Sequence, residues 1–237
     1  MADNTEHVYN RFVFRNGHLL SRPGQPSGEA PLPGLHPLDL DGTRDGLLYV
    51  PANCSSDHPA PLVLMLHGAG SNARNGLIPL LPLADGAGLL LLAPDSRLRT
   101  WDVIIDRYGP DVAFIERALE WTFHRCLVDS THLAIGGFSD GASYALSLGL
   151  TNGDLFTHII AFSPGFMTPA GRQGLPRIYI SHGTQDRVLP VERCSHRIVR
   201  QLNREGYDVH YTEFDGPHTV PALIACEAVD WFFDDNG

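Results

Sequence analysis

His132-Leu133-Ala134-Ile135-Gly136-Gly137-Phe138-Ser139-Asp140-Gly141 decides the architecture. An apolar run from His132 to Gly137 reads as a buried strand, and Asp140 to Leu150 reads as a helix. Between them the chain has only Phe138 and Ser139 in which to reverse. Gly137 and Gly141 remove the two Cβ atoms that would clash in so tight a turn. The Ser139 hydroxyl is then thrown above the sheet edge, beside the positive end of the following helix.

Outward from this stretch the same alternation repeats. Gly46–Val50, Leu62–Leu66, Leu89–Ala93, His158–Phe162, Arg177–Ser181 and Val209–Phe214 read as strands. Apolar runs of about five residues suit strands covered on both faces, as in parallel sheets. Asp111–Arg125, with Val112, Ile115, Ala118 and Leu119 at helical spacing, Val191–Glu205 and Pro221–Phe233 read as helices. The fold class is therefore α/β: a mostly parallel central sheet with helices on both faces and right-handed crossovers. Residues 1–45, rich in Pro and Gly from Ser21 to Pro37, read as an N-terminal extension with an edge strand over Arg11–Arg15. Residues 46–237 read as one catalytic domain without a large cap, and there is no internal repeat.

The formal net charge of -10, with no basic cluster, argues against nucleic acid as a partner. The longest apolar run, around Leu89–Ala93, is far too short to span a bilayer, so no integral membrane association is expected. The first residues, Met-Ala-Asp-Asn-Thr-Glu-His, lack the charged and apolar blocks of a signal peptide. Cys54, Cys126, Cys194 and Cys226 are scattered without metal-ligand spacing and read as reduced thiols. A cytoplasmic location is expected, and the cysteine spacing points to no metal.

A serine hydroxyl needs a base to become a nucleophile. His182-Gly183-Thr184-Gln185-Asp186 and Gly216-Pro217-His218 each follow a strand. Strand ends at one edge of a parallel sheet converge, which brings Ser139, Asp186 and His218 together as nucleophile, acid and base. Asp215 is a rival acid, but it lies three residues from His218 and would have to fold back. His182 reads as an orienting residue, and His196 and His210 as surface or core residues. Leu66-His67-Gly68-Ala69-Gly70 is a Gly-rich turn after the first central strand. Its Ala69 N–H and the N–H of Asp140 are the expected oxyanion donors. Trp101, Phe166, Met167 and Leu189 are candidates for an apolar substrate wall. Arg97, Arg99 and Arg107 flank Trp101 and are read as solvated, the other reading being contact with a carboxylate.

These segments together resemble the carboxylesterase/phospholipase group of α/β-hydrolases. The Leu-His-Gly-Ala-Gly turn, the Gly-Phe-Ser-Asp-Gly elbow, the His-Gly-Thr-Gln-Asp loop with Val188 and Pro190, and Gly-Pro-His carry the resemblance. Asp111-Val112 with Phe114-Ile115 adds to it, and it covers Leu62 to Phe233. Feruloyl esterases and polyester depolymerases share much of the pattern. The resemblance implies an α/β-hydrolase fold, the triad Ser139, Asp186 and His218, the oxyanion pair Ala69 and Asp140, and ester hydrolysis through an acyl-enzyme without cofactor. The elbow departs from many members in having Asp140 where they carry Gln. Dienelactone hydrolases have a similar layout but a Cys nucleophile. The partner expected is a small ester with a short or medium acyl chain, and a homodimer is left open. Lysophospholipid, feruloyl ester, polyester and amide substrates are alternatives, as is a binding protein without catalysis. Ser163–Pro176 holds three glycines and three prolines, so no helical lid is expected there.

Overall fold

The computed structural model describes residues 14–55 and 57–234. Eight strands form one sheet: β1 Gly34–Pro37, β2 Gly46–Val50, β3 Ala60–Leu66, β4 Leu90–Pro94, β5 Val128–Phe138, β6 His158–Phe162, β7 Arg177–Gly183 and β8 Val209–Phe214. Their spatial order is β1-β2-β4-β3-β5-β6-β7-β8. The pairs β1–β2 and β2–β4 are antiparallel, and every pair from β4 to β8 is parallel. Four longer helices are α1 Pro110–Arg125, α2 Asp140–Thr151, α3 Ser195–Arg204 and α4 Ala222–Phe232.

The apolar strands are explained by burial on both sides. In β3, Leu62, Leu64 and Leu66 join the core beneath α1, α2 and α3, whereas Val63 and Met65 face the core beneath α4. Side chains alternate across a strand, so a strand covered on both faces must be apolar at successive positions. Helix α1 begins with Pro110, whose missing N–H costs nothing in the first turn, and buries Val112, Ile115, Ala118 and Leu119.

The parallel register fixes where the loops emerge. Leu66 pairs with Gly137, Phe138 with Phe162, Phe162 with Ser181, and Gly183 with Phe214. The C-terminal ends of β3, β5, β6, β7 and β8 thus lie along one edge, where open α/β sheets hold their sites.

The N-terminal segment differs from expectation. Phe14 and Arg15 are helical and not an edge strand, and Arg11–Val13 lie outside the described residues. The edge strand is Gly34–Pro37, inside the Pro-rich stretch. Pro is tolerated at an edge because the outer side of the strand needs no donor. Much of the segment ahead of residue 46 packs on the sheet domain. Leu19 and Leu38 are buried in the larger core cluster, and Asn152 accepts the Leu19 N–H and donates to the Gly17 carbonyl. Ser163–Pro176 contains no helix.

Candidate active site

Ser139 is the N-cap of α2 and holds φ 59, ψ -121. That backbone region costs a non-glycine residue about 1–3 kcal/mol and persists only where its surroundings enforce it. Here the neighbouring strand end enforces it. A Cβ on Gly141 would lie 2.1 Å from the Leu66 carbonyl oxygen, and one on Gly137 would lie 2.5 Å from the Gly141 carbonyl carbon. Both elbow glycines are needed for close approach. The Ser139 N–H donates to the Phe162 carbonyl at 3.0 Å, which pins the elbow to β6.

The loops after β7 and β8 meet because Gly183 lets them. A Cβ at Gly183 would collide with the carbonyl oxygens of Gly216 and Pro217, at 2.4 and 2.5 Å. Thr184 donates to the Phe214 carbonyl and Gln185 to that of Gly216, at 2.9 and 3.0 Å. The junction brings Asp186 to His218, whose Nδ1–H donates to Asp186 Oδ2 at 2.5 Å. On the other side of the ring, Ser139 Oγ lies 2.9 Å from His218 Nε2. The three residues singled out in the sequence form one hydrogen-bonded line.

Asp186 is buried, and burial alone would raise its carboxyl. The Leu189 N–H, the His218 side chain and the Val188 N–H outweigh that and hold it below the usual carboxylate range. Both N–H groups reach Oδ1 at 2.8 Å. His182 supports this acid from within the core. Its Nε2–H donates to the Leu189 carbonyl at 2.7 Å and lies 3.2 Å from Asp186 Oδ2, while Nδ1 faces the Ser195 hydroxyl at 2.7 Å. Burial lowers the His182 pKa, in keeping with a neutral ring. Asp215 is exposed and accepts from Gln185 Nε2 at 2.5 Å. His196 and His210 pair with Glu213 and Glu227, away from Ser139.

The turn after β3 abuts the elbow, because a Cβ on Gly68 would sit 3.5 Å from Ser139 Cβ. Among the described residues, neither the Ala69 nor the Asp140 N–H has an acceptor within the protein. His67 braces the turn. Its Nε2 accepts the Ser96 N–H at 3.0 Å, so Nδ1 carries the proton and donates to the Gly68 carbonyl at 2.8 Å. Burial lowers its pKa, which keeps this neutral form.

The expected substrate wall divides. Trp101 is a correction: it is fully buried, donates to the His67 carbonyl at 2.9 Å and stacks on Tyr144. Its indole N–H found a partner inside, so it supports the turn and offers no surface to a ligand. Phe166, Met167 and Leu189 are half-buried. Leu189 lies over Gly165, whose N–H donates to Ser143 Oγ at 2.9 Å, one helical turn past Ser139. Met167 packs against the larger core. Two supporting residues escaped the sequence reading. Thr100 Oγ1 donates to Asp140 Oδ2 at 2.7 Å, and the Ser143 hydroxyl ties the post-β6 loop to α2. Ser143 is a polar residue early in α2, which is a sequence signal; Thr100, in the loop before Trp101, carries none. Ser163, at φ 51, is buried, and among the described residues its hydroxyl has no partner.

The sheet order and the strained elbow give this chain the α/β-hydrolase fold. Within that class, the family described as phospholipase/carboxylesterase matches residues 113–219. "Probable feruloyl esterase C" of Aspergillus niger is 26% identical over 183 residues, covering 74% of this chain and 66% of that protein. Feruloyl esterase C of Emericella nidulans is 27% identical over 158 residues, covering 63% of this chain and 57% of that protein. The chain thus spans less than two thirds of the length of these relatives. Among solved structures, esterase PE8 superposes with a TM-score of 0.65 at 22% identity, covering 80% of this chain and 98% of that one. The fluorophosphonate-binding serine hydrolase FphF of Staphylococcus aureus reaches 0.68 at 14% identity, covering 86% and 100%. At such identities the structural likeness speaks for the fold.

Proposed function

We propose that this chain is a serine esterase in which Ser139 is the nucleophile, His218 the base and Asp186 the acid. The observation that carries the reading is the hydrogen-bonded line from Ser139 Oγ to His218 Nε2 at 2.9 Å and from His218 Nδ1 to Asp186 Oδ2 at 2.5 Å. The elbow's strain supports it, since a non-glycine residue is held at φ 59 where the fold presents a hydroxyl.

In the reaction His218 takes the Ser139 proton as the oxygen attacks the ester carbonyl. Asp186, kept ionised, holds the Nδ1–H tautomer and stabilises the imidazolium. The N–H groups of Ala69 and Asp140, both without acceptors among the described residues, receive the oxyanion. His218 then protonates the departing alcohol, and water releases the acid by the same route.

The absence of a helix in Ser163–Pro176 supports an open site for soluble esters of short or medium acyl chain. Feruloyl esters are the second reading, favoured by the relatives named feruloyl esterase C. Among the described residues no helix is long and apolar enough to cross a membrane, and the four cysteines are unpaired, which supports a cytoplasmic location. The test is labelling by a fluorophosphonate probe, followed by assays on p-nitrophenyl and feruloyl esters with Ser139→Ala as control. Stoichiometric labelling of Ser139 and a fall in kcat of several orders of magnitude are expected. A clean Ser139→Ala protein retaining a tenth of the activity would refute the assignment.

A further inference from the structure

All 17 basic side chains of this chain are arginine, so every fixed positive charge is a planar fork suited to carboxylates. Four of them surround the loop after β4. Arg44 donates to the carbonyls of Ser96 and Ser71. Arg97 is not solvated: it pairs with Asp41 at 2.9 Å, donates to the Asp95 carbonyl at 2.8 Å and covers the Phe114 ring at 3.6 Å. Arg107 pairs with Asp106 at 3.1 Å. Arg99 differs, because among the described residues its exposed side chain has neither an ion pair nor a hydrogen bond.

Its position is nevertheless fixed from below. The Arg99 carbonyl accepts the Gly70 N–H at 2.7 Å, and the next residue, Thr100, is bonded to the Asp140 carboxylate beside the nucleophile. The turn Gly68-Ala69-Gly70 therefore has Ser139 at one end and Arg99 at the other. The Cβ position of Gly68 is 3.5 Å from Ser139 Cβ, and that of Gly70 is 3.9 Å from Arg99 Nε. The Cα atoms of Gly68 and Gly70 are at most about 7 Å apart. An ester with its carbonyl on Ser139 and the Ala69 N–H can thus reach the guanidinium through a spacer of a few atoms.

We propose that Arg99 makes this site select esters that carry a free carboxylate. The inference rests on the serine-esterase reading. A monoanion suits a single guanidinium. A dianionic group would leave excess negative charge beside Asp95 and Asp140 in a chain of net charge -10. The aspartate at the elbow fits the same arrangement, because through its bond to Thr100 it anchors the Arg99 strap to the nucleophile's helix.

The test compares p-nitrophenyl hexanoate with mono-p-nitrophenyl adipate, which replaces the terminal methyl of the same six-carbon acyl chain by a carboxylate. In Arg99→Gln, KM for the adipate ester should rise about tenfold more than KM for hexanoate, with kcat ratios little altered. Arg99→Lys should recover part of the difference, and 0.5 M salt should erode it in the wild type as about a 4 Å Debye length screens an exposed charge. Equal changes in KM on both esters, with hexanoate turned over and Ser139 labelled, would overturn the role of Arg99 alone. No turnover of either ester and no labelling of Ser139 would overturn the esterase reading and this inference with it.

Discussion

Asp186 and Asp111 are both buried carboxyl groups that accept two backbone N–H groups, yet their titrations are displaced in opposite directions. Asp186 accepts from Val188 and Leu189 at 2.8 Å and lies below the usual range. Asp111 accepts from the N–H of Arg97 at 2.5 Å and from that of Asp102 at 2.6 Å, yet is pushed up to about 7, first by burial and then by the charge of Asp102. Hydrogen bonds therefore do not decide between them; the deeper burial of Asp111 does first, and the charge of the neighbouring side chain second. Asp186 faces a histidine that can become a cation, whereas Asp111 faces a second carboxylate, itself raised by burial and bonded to Tyr144, Gly109 and the Asp111 N–H. The first arrangement keeps a charge beside the His218 imidazole. The second ties the loop from Ser96 to Gly109 onto the start of α1.

The sharpest way to break this comparison is to remove the charge at Asp186. In Asp186→Asn the amide still fills the space but no longer fixes the Nδ1–H tautomer of His218. We expect kcat to fall about 10³- to 10⁴-fold with the fold retained, as read by ester turnover and circular dichroism. A fall below tenfold would mean that the charge on Asp186 is idle.

The place of Asp186 beside His218 could be read from the sequence because chain order and strand ends suffice to bring them together. The elbow was legible for the same reason: an apolar strand end, two glycines and a helix leave one geometry. The Asp111 cluster was not legible as such. Asp102 opens the short helix Asp102–Ile105 and Asp111 lies in the first turn of α1, and only folding aims both inward at each other's N–H groups. Trp101 misled because a tryptophan in a post-strand loop reads alike whether it faces a ligand or, as here, the His67 carbonyl. Arg97 misled likewise, since its partners Asp41 and Phe114 are 56 and 17 positions away. Strand β1 was hidden by Pro33 ahead of it and Pro37 at its end, and its pairing with β2 reveals it.

A smaller effect is expected at Asp111. An unfolded aspartate titrates near about 3.9, so between about pH 4 and 7 the native protein holds a proton that the unfolded chain has lost. Stability then falls as pH rises through that window and levels off above the native value of about 7. Asp111→Asn cannot titrate, and its amide group must meet one of the two N–H donors badly. It should be the less stable protein at pH 5, with the gap closing by roughly 2 kcal/mol at pH 8. Urea unfolding of both proteins at the two pH values measures this directly. A gap unchanged between the two pH values would show that Asp111 is ionised in the native state throughout.

The smallest effect belongs to a third carboxylate. Asp215 lies three positions before His218, close enough in sequence to compete with Asp186 for the same role. Its side chain is exposed and held by Gln185 Nε2 at 2.5 Å, while His218 Nδ1 is already saturated by Asp186. An exposed charge near a surface is screened by water and salt, so its influence on the imidazolium is small. Asp215→Asn keeps an oxygen to accept from Gln185 and removes only that screened charge. We expect kcat within about twofold of wild type at neutral pH. If instead Asp215→Asn were crippled and Asp186→Asn mild, the contrast would reverse, and the loop after β8 would supply both base and acid.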